Sequence, residues 1–170
     1  MKSLAYLIVG SFLAAPSAQA VLVGQDAPSV SAPDSEGQVI RLDQFGGNWV
    51  VVYFYPKADT PGCTRQACSL RDGYEGLQEA NATIIGVSLD GVEDQAAFKE
   101  KYKLPFTLLA DKDGTVARAF GVLPEGGRFA QRKTFIINPD GQVAHIFDRV
   151  KVSKHQEEVL RILMHLQSGK

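Results

Sequence analysis

Residues 50–68 read VVVYFYPKADTPGCTRQAC, and the change of pattern inside that run decides the fold. Val50 to Tyr55 form an unbroken apolar series of β-branched and aromatic side chains, as in a strand buried on both faces. Pro56 and the polar residues Lys57 to Thr60 end it. Thr60 suits a helix N-cap, Pro61 the first helical position and Gly62 a close backbone approach, so a helix is predicted to start at Thr60. Cys63 then falls in the first turn, where unpaired amides and the positive end of the helix dipole favour a thiolate over a thiol.

Cys68, the other cysteine of the chain, lies on the same helix, and the pair is either a structural staple or a redox-active couple. Five residues apart on a continuous α-helix, two Cα atoms lie ~8.7 Å apart, beyond the roughly 7 Å that a disulfide spans. A bond therefore requires local unwinding. That suits a pair that bonds only during a reaction cycle better than a permanent staple.

At 170 residues, 45% hydrophobic and 22% charged, the chain has the material for one globular domain. A net charge of -1 without a basic cluster provides no electrostatic case for nucleic acid, leaving a small substrate or a protein partner. The first twenty residues stand apart. Lys2, the apolar stretch Leu4 to Ala15 and the small residues Ala18 and Ala20 read as a secretory signal peptide over 1–20, with an uncleaved membrane anchor as the alternative. Cleavage after Ala20 leaves residues 21–170 as the mature domain, not membrane-bound, with 17 basic and 19 acidic side chains. The expected location is the periplasm, or a thylakoid lumen if the source is photosynthetic. Such an oxidising compartment accommodates either use of the two thiols.

From Val21 to Gly37 the Pro- and Ser-rich chain is expected to run extended over the surface before a short strand at Val39 to Leu42. After the cysteine helix, Thr83 to Leu89 reads as a second buried strand, and Asp90 with Glu93 as a capping box for a helix carrying Ala97, Phe98 and Tyr102. Phe106 to Ala110 follows as a strand, then Val116, Ala119 and Phe120 on one face of a helix that Gly121 terminates. Asn138 to Gly141 mark a turn between strands Thr134 to Ile137 and Val143 to Phe147. Ser153 and Gln156 are expected to cap a final helix with a buried stripe of Val159, Ile162, Leu163 and Leu166. This order implies an α/β domain with a central mixed β-sheet flanked by helices on both faces, which fits a thioredoxin-like fold.

Pro56, Thr60 and Cys63 follow the PxxxTxxC pattern of peroxiredoxins, and Cys68 five residues later resembles the atypical two-cysteine Q branch, also called bacterioferritin comigratory protein. The segments VVVYFYPKADTPGCTRQACSLRD, KYKLPFTLLADKDG and RKTFIINPDG resemble the same family, so the similarity covers essentially residues 21–168. Gln66 departs from the pattern, standing where many relatives carry a glutamate that helps to fix the active-site arginine.

The resemblance implies a peroxidase in which Cys63 is peroxidatic and Cys68 resolving, joined in an intramolecular disulfide during turnover. It implies that Thr60 hydrogen-bonds the thiolate and the peroxide, that Arg132 binds the substrate, with Arg128 a nearby rival, and that Pro56 shields the pocket. Hydrogen peroxide and alkyl hydroperoxides are the implied substrates and a thioredoxin-like protein the reductant, with no metal or organic cofactor and a monomeric state. His145, His155 and His165 make no recognisable zinc site and are expected on the surface. An exported thiol-disulfide oxidoreductase is the nearest alternative, although its C-x-x-C motif is missing. A non-catalytic module with a fixed disulfide is another.

Overall fold

The computed structural model describes residues 20–169, so the expected signal peptide lies outside the described residues apart from Ala20. Strand β1 (Ser31–Pro33) pairs antiparallel with β2 (Val39–Arg41) in a small separate sheet, followed by a 3-10 turn at Leu42–Phe45. Then come β3 (Trp49–Phe54), α1 (Pro61–Asp72), α2 (Tyr74–Glu79), β4 (Ala82–Ser88), α3 (Val92–Tyr102) and β5 (Thr107–Ala110). Helix α4 (Thr115–Ala119), the hairpin of β6 (Thr134–Ile137) and β7 (Val143–Phe147), and α5 (His155–Gln167) complete the chain.

The main sheet has the order β5-β4-β3-β6-β7, parallel across β5, β4 and β3 and antiparallel from β3 through β7. The expected thioredoxin-like mixed sheet is thus present. Strand β3 lies at its centre, which is why every residue from Val50 to Tyr55 is apolar and buried. Its alternate side chains divide the core. Val51, Tyr53 and Tyr55 pack with Ala67, Leu70 and Leu77 of α1 and α2, Phe98 of α3 and Val159 and Leu163 of α5. Val50, Val52 and Phe54 pack with Leu42, Val116, Ala117 and Phe120 on the opposite face. Both faces are covered, but four helices crowd one side whereas α4, the 3-10 turn and irregular chain suffice for the other.

The segment expected to run extended over the surface is also tied to the sheet. Near β7, Gly24 N–H donates to Val143 O and Val143 N–H to Gln25 O, both at 2.8 Å. Near β5, Asp34 bridges Leu109, and Ser35 N–H donates to Leu108 O at 3.0 Å. Two expected capping boxes are absent. Gly91 is the N-cap of α3, and Asp90 turns away to accept hydrogen bonds from Ala58 N–H and Ser88 Oγ–H, each 2.7 Å. Lys154 is the N-cap of α5, and the Gln156 amide donates to Ser69 Oγ of α1 at 3.2 Å. In both cases a partner distant in sequence wins over the local one.

Candidate active site

Thr60 is the N-cap of α1, with extended φ and ψ of -96° and 154°, and Pro61 occupies the first helical position. The first helical hydrogen bond runs from Thr64 N–H to Thr60 O at 2.8 Å, so the amides of Gly62 and Cys63 precede the helical ladder. They face the N-terminal end, where a negative charge is stabilised. The Thr60 hydroxyl donates to Lys57 O at 2.8 Å and makes no side-chain cap. Its lone pairs, not its proton, are therefore available to a neighbouring group. Pro56 is half-buried in the turn between β3 and α1.

Arg132 comes from the chain just before β6, the antiparallel neighbour of β3. This pairing carries it across sequence to the start of α1, where Nη2 lies 3.3 Å from Cys63 Sγ. Nη1 donates to Gln66 Oε1 at 2.5 Å. Gln66, one turn beyond Cys63 and fully buried, thus orients the arginine as a neutral partner and leaves the guanidinium charge unopposed beside the sulfur. Gly62 leaves this approach uncrowded: a Cβ there would sit 3.2 Å from Nη2, a tight contact. Arg128 is exposed, and it is Arg132 that reaches Cys63 and Gln66.

Cys63 is 1% exposed, Cys68 is half-buried, and both are free thiols. Helix α1 runs unbroken through the two, the arrangement in which helix geometry keeps them from bonding. The loop before α1 is held firmly. Asp90 takes the Ala58 amide, while Asp59, in the left-handed region at φ 55°, accepts from Lys101 Nζ at 2.7 Å and from Tyr102 Oη at 2.6 Å. Asp90 is joined through Ser88 and Gln95 to the Tyr55 hydroxyl, forming a buried polar chain under the loop. The partners of Ala58 and Asp59 lie 32 to 43 residues away along the chain, so no local sequence pattern marks these braces.

The histidines correct the surface expectation in part. His165 is exposed and His145 half-buried, but His155 is completely buried. Its Nε2 lies 2.9 Å from Thr134 Oγ1, and its ring stands edge-on to Phe147 at 5.6 Å between centroids. Burial first, then the nearby Arg132 charge, lower its pKa to about 4. Its place four residues before Val159 and eight before Leu163 sets it on the buried stripe of α5, and that spacing is the sequence signal that marks it as interior.

A model of the AhpC/TSA family matches residues 23–146. Peroxiredoxin Bcp of Escherichia coli is 44% identical over 146 residues, covering 82% of this chain and 94% of that protein. The chloroplastic peroxiredoxin Q of Oryza sativa is 42% identical over 145 residues, covering 84% and 67% of the two chains. Among solved structures, peroxidoxin BcpB of Mycobacterium tuberculosis superimposes with a TM-score of 0.78 at 34% identity, over 85% of this chain and 97% of that one. Peroxiredoxin Q of Xanthomonas campestris gives 0.77 at 33% identity, over 84% and 97%.

Proposed function

The chain belongs to the AhpC/TSA family, in the branch of the Bcp and peroxiredoxin Q proteins, and from that premise we propose that Cys63 attacks the peroxide and Cys68 resolves the product. The chain is a thiol-dependent peroxidase. The observation that carries the residue assignment is Arg132 Nη2, 3.3 Å from the buried Cys63 sulfur at the start of α1.

The chemistry follows from that placement. The Cys63 thiolate attacks the terminal oxygen of the hydroperoxide, the O–O bond breaks, and sulfur is oxidised by two electrons to a sulfenic acid. The departing oxygen takes up a proton and leaves as water or alcohol. Arg132 donors meet the charge that builds on that oxygen, while Thr60 oxygen can accept from the peroxide proton. Pro56 limits water at the sulfur. Cys68 then attacks the Cys63 sulfur once α1 has opened locally, forming the disulfide and releasing water. A thioredoxin-type dithiol reduces this disulfide.

A Xanthomonas campestris bacterioferritin comigratory protein studied for alkyl peroxide reduction supports alkyl hydroperoxides as substrates beside hydrogen peroxide. The pattern of residues 1–20 supports export to the periplasm, tested by fractionation and N-terminal sequencing of the mature chain. A monomer is expected by size exclusion in both redox states. Peroxide consumption with a dithiol reductant tests the roles in wild type, Cys63→Ser and Cys68→Ser. Loss of Cys63 should abolish reactivity, and loss of Cys68 should leave one turnover ending in sulfenic acid. Wild-type protein no faster than free cysteine would refute the assignment.

A further inference from the structure

Behind the site lie three buried side chains, Thr134, Phe147 and His155, that the peroxide chemistry does not use. Thr134 and Phe147 stand directly opposite each other in β6 and β7, and His155, in the first turn of α5, covers that pair. Its Nε2 shares a 2.9 Å hydrogen bond with Thr134 Oγ1, while its ring meets Phe147 edge-on. Nδ1 has no partner, so Thr134 is the imidazole's one hydrogen-bonding contact among the described residues. Burying an imidazole with one bare nitrogen is costlier than burying an apolar ring of its size. What the fold obtains in return is a hold on Thr134. That residue stands two places after Arg132, and between them the Lys133 carbonyl accepts the Phe54 amide at 2.8 Å as the last rung of the β3 and β6 ladder. On its other side Arg132 is fed by a turn with Gly126 at φ 67° and with Arg128 and Phe129 exposed, which rejoins the body where Gln131 N–H donates to Val122 O at 2.8 Å. The residue after His155 meets the other half of the site, since Gln156 N–H donates to Ser69 Oγ of α1 at 3.2 Å. The first turn of α5 therefore touches both the strand that delivers the arginine and the helix that carries the sulfur.

Resting on the peroxide cycle proposed above, we propose that His155 is a positioning residue for peroxide reduction: through Thr134 it fixes the start of β6, and with it the 3.3 Å approach of Arg132 Nη2 to Cys63 in the reduced protein. Gln66 holds the tip of the same arginine, so the side chain is fixed at root and tip. The imidazole is neutral near pH 7, because burial first and then the Arg132 charge hold its pKa at about 4. It steadies the arginine without adding a second cation beside the sulfur. A displaced guanidinium fails twice, since its donors miss the charge that builds on the departing oxygen and its own charge lies farther from the thiolate.

His155→Phe and Thr134→Val keep a ring and a branched side chain but break the hydrogen bond. His155→Gln, whose amide lies as many bonds from Cα as Nε2 does, and Thr134→Ser retain it. Each reduced mature protein is mixed with hydrogen peroxide and, separately, with iodoacetamide, and loss of the Cys63 thiol is timed by mass spectrometry of quenched samples. Both reactions need the thiolate, but only the first uses the arginine's donors. The ratio of the peroxide rate constant to the iodoacetamide rate constant should fall roughly tenfold in His155→Phe and Thr134→Val, and stay within about twofold of wild type in His155→Gln and Thr134→Ser. Added to Arg132→Met, His155→Phe should change the ratio no further, because no guanidinium remains to be placed. An equal fall in that background, or a wild-type ratio in folded His155→Phe and Thr134→Val, would overturn the proposal and leave His155 a packing residue. A wild-type ratio in Arg132→Met alone would instead overturn the role given to Arg132 in the peroxide cycle, and this proposal with it.

Discussion

Acid should destabilise this protein through His155 in a window set by its burial. Folded, the imidazole has a pKa of about 4, and in the unfolded chain it returns to the ordinary 6.5. Above pH ~6.5 it is neutral in both states and contributes no pH dependence. Between ~6.5 and ~4 the unfolded chain binds a proton that the folded one refuses, so stability falls as pH falls. The slope approaches 1.4 kcal/mol per pH unit, and the total over the window is about 3 kcal/mol. No discount for solvent is needed, because the side chain is wholly buried and its Nδ1 has no partner to hold a second proton. Urea denaturation of wild type and His155→Gln at intervals from pH 7 to 4 tests this. Carboxylates common to both proteins cancel in the difference, so the two stability curves should converge by about 3 kcal/mol as pH is lowered. Parallel curves would show that protonation of His155 is not opposed by the fold, and would refute the reasoning.

Gly62→Ala should separate activity from stability. Alanine favours a helix by up to ~1 kcal/mol over glycine, yet its methyl crowds Arg132 Nη2, so melting should hold or rise while the rate constant with peroxide falls roughly tenfold. Asp90→Ala strands the Ala58 amide and the Ser88 hydroxyl, and chemical denaturation should register a loss of about 2 kcal/mol. At Gly86 a Cβ would meet Leu108 Cδ2, Tyr53 Cζ and Tyr53 Oη, each at 2.7 Å, inside the sheet. Gly86→Ala should therefore lower stability by about 1–3 kcal/mol, read from urea midpoints, and an unchanged midpoint would contradict such tight packing.

Elements whose signals are local were legible in the sequence. Thr60 and Pro61 mark the start of α1 because an N-cap and a fixed φ act within a few residues. The Asn138 to Gly141 turn, with Gly141 at φ 84°, is local in the same sense. Contacts chosen by tertiary competition were not legible. Asp90 and Glu93 satisfy a capping pattern, yet Asp90 lies closer in space to Ala58 and Ser88. Ser153 is displaced by Ser69, which only the packing of α5 on α1 brings to the Gln156 amide. Arg132 could be named from its flanking motif, but its grip on Gln66 depends on β6 pairing beside β3. His155 stands at the spacing of the α5 stripe but was misread, because burial of a polar ring also depends on an available partner, here Thr134.

The strip from Gly24 to Ser35 has a consequence for self-association. A five-stranded open sheet has two bare margins, each a template on which another chain can polymerise. Here one short, proline-punctuated length of chain engages both, beside Val143 at one margin and beside Leu108 and Leu109 at the other. It is also synthesised before either margin exists, so the cover is ready when β5 and β7 emerge. Trimming the domain to its sheet and helices would thus keep Cys63 and Cys68 on α1 while baring two strand margins on which further chains can pair.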